Sequence, residues 1–348
     1  MPADPAAPAT LTTTTARARR PSVTVHDVAR LAGVSAMTVS RAVNTPDKVP
    51  VATRAKVQAA VAKTGYVPNL LAGGLRSNKS RLVAALIPTL AGPVFTETAQ
   101  ALTTALNQRG YQLMLGQSGY DQSHEDDLLG AIIGRRPDGI VLTGVMHSAE
   151  TRRRLMAAGI PVVETWDLTP TPIDMLVGFS HEAVAQAVCR HLHAAGRRRL
   201  AVIGADDERS VRRSRAFVAA AALLGLAPPP VHQVQAPTTL GDGRAGLRAL
   251  RAARPDLDAV FCSSDLMALG VLTEAQALGL AIPGQLAVIG FGDLAFSCDL
   301  HPALTTVRID GTRIGQEAAR CIIERAEGRS VAERVIDIGF TIIERASV

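Results

Sequence analysis

At 348 residues, with 47% hydrophobic and 20% charged side chains, the chain has the composition of a globular protein long enough for two or three cores. No run of 18 apolar residues occurs, which excludes a membrane-spanning helix, and the first 20 residues lack the apolar stretch of a secretory leader. The net charge of +6 is unevenly placed. Residues 17–81 carry twelve Lys and Arg against Asp27 and Asp47, a surplus of 10, and with Asp4 ahead of them this leaves −3 for residues 82–348. A basic N-terminal module on a mildly acidic body is the electrostatic footprint of nucleic-acid binding.

Residues 1–20 read as a disordered Pro/Ala/Thr arm, whose Arg17, Arg19 and Arg20 suit phosphate contact as well as plain solvation. The stretch 24–44, TVHDVARLAGVSAMTVSRAVN, carries two apolar faces at helical period, Val25/Val28/Ala29/Ala32 and Val39/Ala42/Val43. Between them Gly33 supplies the positive φ of a tight turn, and Ser35 caps the second helix. This is a helix-turn-helix, with an ordinary αα-hairpin as the alternative. A third helix over 51–64 follows, with Val51, Ala55, Val57, Ala60 and Val61 as candidate buried positions. Residues 67–81 contain Gly73–Gly74, which each cost roughly 1 kcal/mol in a helix, so this segment should fold only when something holds it.

From Leu82 the pattern alternates strand and helix. Strands are expected at 82–88, 111–117, 138–144, 160–166, 175–179, 199–205, 231–236, 259–264 and 286–293. Helices are expected at 94–109, 124–134, 149–158, 182–194, 211–224, 243–254 and 266–278. Continuous β-branched strands separated by helices imply parallel sheets covered on both faces, in two doubly wound lobes with a ligand crevice at the strands' carboxyl ends. Cys189, Cys262, Cys298 and Cys321 have no metal-ligand spacing and read as reduced core thiols of a cytoplasmic protein. No metal or cofactor is expected. Neither GxSxG, GxGxxG nor a P-loop is present, so an enzyme reading lacks parts, and the rival to a regulator is a solute-binding protein sharing the two-lobed body.

The motifs VTVHDVARLAGVSAMTVSRAVN, TGYVPN (64–69), GFSHE (178–182), SDLMALG (264–270) and IGFGDLAFSCDLHPALTTV (289–307), in this order, resemble the lactose-repressor (LacI/GalR) family. GYQLMLGQSGYD (110–121), GIPVVETWD (159–167) and the ending IDIGFTIIERAS look most like its gluconate-operon repressor branch. The resemblance implies an all-α helix-turn-helix DNA-binding domain (21–66), a hinge (67–81) and an α/β two-lobed, periplasmic-binding-protein-like body (82–348) with parallel doubly wound sheets. Lobe 1 would take about 82–179 and 308–338, and lobe 2 about 180–307 and 339–348. It further implies a cytoplasmic homodimeric repressor on an inverted-repeat DNA operator, released by a sugar acid such as gluconate, with no membrane partner. No heptad tail is present, so a tetramer is not expected.

Residue by residue, the resemblance places Ala36 and Met37 at base edges, where they offer only apolar contact, and Arg41 against a guanine. Thr38, Ser40, Asn44 and Thr53 would hold phosphates, with Thr24, Ser35 and Asn69 completing the DNA-contacting set. Leu75 would wedge into a minor-groove step, or else be a linker leucine. Two departures stand out: Pro50 replaces the usual Ser or Thr cap of the third helix, and Gly73–Gly74 weaken the hinge. Effector contacts would come from Val94, Phe95, Trp166, Asp167, Arg215, Asp265 and Asp293. Trp166 serves equally as stacking wall or core residue. Arg209 suits an ion pair as well as a ligand, and Ser264 stands where many members have Asn.

Overall fold

The computed structural model describes residues 23–67, 79–90, 93–120 and 122–348, so the arm, Asn69 and Leu75 lie outside the described residues. Two compact units are present, one ending at Asn78 and the other running from Lys79 to Val348.

The first unit holds helices α1 (Val25–Ala32), α2 (Ala36–Asn44) and α3 (Val51–Thr64). Thr24 donates from its N–H (3.0 Å) and its hydroxyl (2.7 Å) to the Asp27 carboxylate, which fixes the entry into α1. Gly33 then turns the chain with φ 65°, a left-handed conformation that costs other residues about 1 kcal/mol or more. The Ser35 hydroxyl accepts from the Thr38 N–H at 3.1 Å and starts α2. Val28, Ala29, Val39, Ala42, Val49, Val57 and Ala60 are buried together. Val51 and Ala55, expected inside, are exposed, because α3 shows the core only the stripe through Val57 and Ala60. Pro50 precedes α3 without a side-chain cap.

The second unit contains two six-stranded sheets. The first, in order β11-β5-β4-β3-β1-β2, is built from β1 (Leu82–Ile87), β2 (Gln112–Gln117), β3 (Gly139–Thr143), β4 (Val162–Thr165), β5 (Met175–Gly178) and β11 (Val335–Asp337), all parallel. The second, in order β12-β10-β9-β8-β6-β7, comprises β6 (Leu200–Ala205), β7 (Val231–Val234), β8 (Ala259–Cys262), β9 (Ala287–Phe291), β10 (Thr305–Arg308) and β12 (Thr341–Ile343). Only β12, antiparallel to β10, breaks its parallel run.

Both faces of each sheet are covered. Val83 and Ala85 of β1 join one core with Leu102, Leu106 and Ile322, while Ala84 and Leu86 join another with Leu129, Ile132 and Leu155. This alternation along an all-apolar strand is the signature of a sheet buried on both sides. The covering helices are α4 (Thr96–Gln108), α5 (Gln122–Ile133), α6 (Ala149–Ala158), α7 (His181–Ala194), α8 (Glu208–Leu223), α9 (Leu240–Ala253), α10 (Asp265–Ala277) and α11 (Gly311–Ala326). Helices α8, α9 and α10 begin one to three residues before their apolar periodicity does. Their first turns are set by polar caps, Asp207, Thr239 and Ser264, each accepting a backbone N–H at 3.3 Å.

The chain passes from the first sheet to the second after β5, returns after β10 and crosses once more between β11 and β12. Three of the cysteines are buried thiols whose pKa burial raises, Cys189 and Cys321 to about 11. Cys298 departs from the expected core position. It is exposed in the short turn Ala295–Cys298, where the chain leaves the sheet. Among the described residues no helix is long and apolar enough to cross a membrane.

Candidate DNA-reading helix and ligand cleft

In the first unit, burial of Val39 and Ala42 decides which side of α2 is free. Met37, Arg41 and Asn44, at i, i+4 and i+7, form an exposed stripe, with Met37 53% accessible. Ala36, expected beside Met37 at the bases, is half-buried against the three-helix core, so Met37 and Arg41 carry the projecting surface. The Ser35 and Thr38 hydroxyls lie 2.9 Å apart, and the Asn44 amide donates to the Ser40 carbonyl at 3.0 Å. These local bonds organise polar groups along one side of a solvent-facing helix. Thr53 is half-buried in the first turn of α3.

In the second unit a cavity of about 250 Å³ is lined from both sheets at the carboxyl ends of their strands. Val94, Phe95 and Trp166 form an apolar wall on one side, with the aromatic rings of Phe95 and Trp166 edge to face at 5.2 Å. Trp166 is both a buried residue and part of the cavity wall. It is 4% exposed and donates its indole N–H to Thr98 Oγ1 at 3.1 Å, yet it lines the cavity. Its φ of 66° is unusual for a bulky residue and turns the chain sharply out of β4. Gly178 makes room for that turn, since a Cβ there would lie 1.9 Å from the Asp167 carbonyl oxygen.

The opposite wall is hydroxyl-rich, with Thr238, Thr239, Ser263 and Ser264, and it carries Asp207, Arg209, Arg213 and His181. Arg209 lies 3.5 Å from Asp207 and 5.4 Å above the Phe95 ring, so its charge has a partner. Arg213 has none among the described residues. It is 6% exposed, donates to His181 Nδ1 at 2.9 Å and to the Ser263 carbonyl at 3.4 Å, and stacks 4.2 Å from the Phe291 centroid, but touches no carboxylate. Its Nε–H is buried without an acceptor. Burial pulls its pKa down to about 10, which leaves it cationic at neutral pH.

Several expected effector residues sit elsewhere. Arg215 is exposed and lines a separate groove between α8 and β7, with Val211, Val218 and Val231. Helical phase explains this: Ser210, Arg213, Ser214 and Phe217 share the inner face of α8, and residue 215 lies about 200° around from 213. Asp265 is wholly buried, accepting from Thr306 Oγ1 (2.5 Å), Leu294 N (2.8 Å) and Ser297 Oγ (2.8 Å). That carboxylate ties the start of α10 to the β9–β10 connection and does not line the cavity, whereas Ser264 beside it does. Asp293 pairs with Arg308 and with Arg345 (2.7 Å) and likewise faces away. Asp167 lies at the outer mouth of the cleft, both oxygens held by Arg212 at 2.7 and 2.8 Å.

The groups missed from sequence, Arg213, His181 and the hydroxyls of Thr238, Thr239 and Ser263, had two available signals. Each falls at or just beyond a strand's carboxyl end or on a buried helical phase.

Comparison with known proteins agrees with both units. Residues 24–69 match the profile of "Bacterial regulatory proteins, lacI family", and residues 189–348 match that of a periplasmic binding protein-like domain. The HTH-type transcriptional regulator GntR of Escherichia coli K12 is 34% identical over 325 residues, 93% of this chain and 98% of that one. GntR of Pseudomonas aeruginosa is 36% identical over 326 residues, 93% of this chain and 95% of its own length. A LacI-family transcriptional regulator from Silicibacter pomeroyi superposes with a TM-score of 0.89 at 33% identity, covering 93% of this chain and 99% of that structure. A solute-binding protein would not carry the helix-turn-helix these regulators share with it, and that alternative gives way. The chain belongs to the lacI family of bacterial regulatory proteins and is a DNA-binding transcriptional regulator.

Proposed function

We propose that the protein is a repressor that binds an inverted-repeat operator as a homodimer and is released when a sugar acid of the gluconate type enters the cleft. The observation that carries the ligand class is Arg213, a cation buried in the cavity wall with no carboxylate of its own. A buried charge is costly unless paired, and a ligand carboxylate supplies the missing partner in the planar geometry a guanidinium prefers. The hydroxyls of Thr238, Thr239, Ser263 and Ser264 suit a polyol chain, and the apolar wall suits its C–H faces. On the DNA side, Met37 offers apolar contact to a thymine methyl and Arg41 a donor pair to a guanine, while Asn69 and the Leu75 wedge belong to the hinge of the same reading. One short helix reads few bases, which favours two half-sites read by a dimer. Ligand and operator would be coupled by about 1–3 kcal/mol.

Titration calorimetry with gluconate on the wild type and Arg213→Met tests this, alongside operator affinity at fixed salt with and without gluconate. The expected results are loss of gluconate binding in the variant and a ligand-dependent fall in operator affinity for the wild type only. A wild type that binds gluconate no better than the uncharged polyol glucitol overturns the sugar-acid assignment.

A further inference from the structure

His181 is 1% exposed and sits at the first position of α7, where the chain enters the second lobe. Its two ring nitrogens meet partners of opposite kind. Nε2 lies 3.0 Å from the Trp166 carbonyl, which can only accept, and Nδ1 lies 2.9 Å from Nη1 of Arg213, which can only donate. Together these partners dictate one form of the ring: neutral, with the proton on Nε2 and a bare lone pair on Nδ1. The two partners line opposite walls of the cavity. Phe179 packs edge-on against the imidazole at 4.7 Å and holds it in place.

We propose that His181 is a positioning residue of the ligand site: its Nδ1 lone pair orients the Arg213 guanidinium toward an anionic ligand, while its Nε2–H ties that arrangement to the Trp166 wall. The proposal rests on the reading that Arg213 receives a carboxylate. Arg213 has two further fixed contacts, a long bond to the Ser263 carbonyl and the face of Phe291, and neither directs the edge of its donor fork. The bond to His181 is the short, directional one. A second cation in place of the neutral ring would face Arg213, Arg209 and Arg212 together, and burial with those three charges holds the imidazole well below its ordinary pKa. A neutral acceptor is thus what the position requires.

Three variants separate the two bonds. His181→Asn keeps an acceptor near Nδ1 and loses the Trp166 link, His181→Gln keeps a donor near Nε2 and loses the acceptor for Arg213, and His181→Phe keeps only the ring. Gluconate affinity should fall about ten- to hundredfold in the Gln and Phe variants, the scale of a hydrogen bond to a charged group. His181→Asn should recover to within about threefold of wild type. Glucitol affinity should move less than about threefold throughout, a contrast that general loosening of the fold would not produce. Equal gluconate affinity across the series overturns the proposal, as does recovery by Gln and not by Asn. Nitrogen-15 NMR of the ring in the ligand-free wild type gives an independent reading, expected to show the Nε2–H tautomer. A Nδ1–H or doubly protonated ring overturns the proposal even if gluconate proves not to be the ligand. Conversely, failure of the wild type to bind gluconate with the Nε2–H tautomer intact counts against the ligand class alone.

Discussion

His181 and Arg213 show how two single residues concentrate the electrostatic cost of the cleft. Neither touches a carboxylate, and both are almost fully buried. The consequence for stability has a definite sign. Because burial and the neighbouring arginines hold the folded pKa of His181 well below the ordinary value, the unfolded chain takes up a proton near pH 6.5 that the folded chain refuses. Unfolding therefore binds protons in this window, and stability falls as pH drops from about 6.5 toward the folded pKa. His181→Asn removes that component. Urea unfolding at pH 7 and pH 5.5 should show the difference between wild type and variant shifting by about 1 kcal/mol in the variant's favour at the lower pH. A difference that does not change with pH would mean that the imidazole titrates in the fold as it does in the unfolded chain.

At the scale of elements, the strand carboxyl ends hold both the ligand-facing groups and the groups that brace them, and the two kinds look alike in one dimension. Asp265 and Asp293 each follow a strand by a few residues, as a ligand carboxylate would, yet each is saturated by protein donors. Gly290 shows how tightly this bracing is built: a Cβ there would lie 2.2 Å from Asp265 Oδ1. Gly290→Ala should destabilise by about 1–3 kcal/mol or more, as overpacking does, while Gly284→Ala, whose Cβ meets only the Ala281 Cβ at 3.6 Å, should stay within about 0.5 kcal/mol. Thermal melts of the pair decide it, and a Gly290→Ala protein as stable as the wild type would show that the Asp265 network is loose. The same contrast explains what was readable in advance. Helix-turn-helix, strand–helix alternation and cleft follow from apolar period and turn residues, which are local properties. Whether residue 213 or 215 faces the cleft depends on the rotational phase of α8, and that phase is set by Ser210, Ser214 and Phe217 packing inward. Whether a strand-end aspartate is free depends on partners more than ten residues away, such as Thr306 for Asp265 and Arg345 for Asp293.

At the scale of the whole second unit, an ion pair is among the contacts that link its two lobes. Asp167, 1% exposed, stands in the loop after β4 of the first lobe, and Arg212 reaches it from α8 of the second. The same guanidinium also meets Glu182 at 2.8 Å, so two carboxylates converge on one cation. Burial holds Asp167 above the ordinary carboxylate range despite that partner, so the aspartate end of the pair is desolvated while Arg212 stays partly exposed. Lobe opening would have to break it, and the pair therefore sets part of the balance between open and closed forms before any ligand binds. Arg212→Met should leave Asp167 buried without a counter-charge and cost about 3–5 kcal/mol, whereas Asp167→Asn combined with Arg212→Met should cost less than the sum of the single changes by at least about 1 kcal/mol. Small-angle scattering on the ligand-free Arg212→Met protein should show a larger radius of gyration if the lobes part. Additive single and double variants with unchanged scattering would mean that the aromatic packing of Phe95, Trp166, Phe179 and Phe291 alone holds the lobes together, and that the ion pair is incidental to closure.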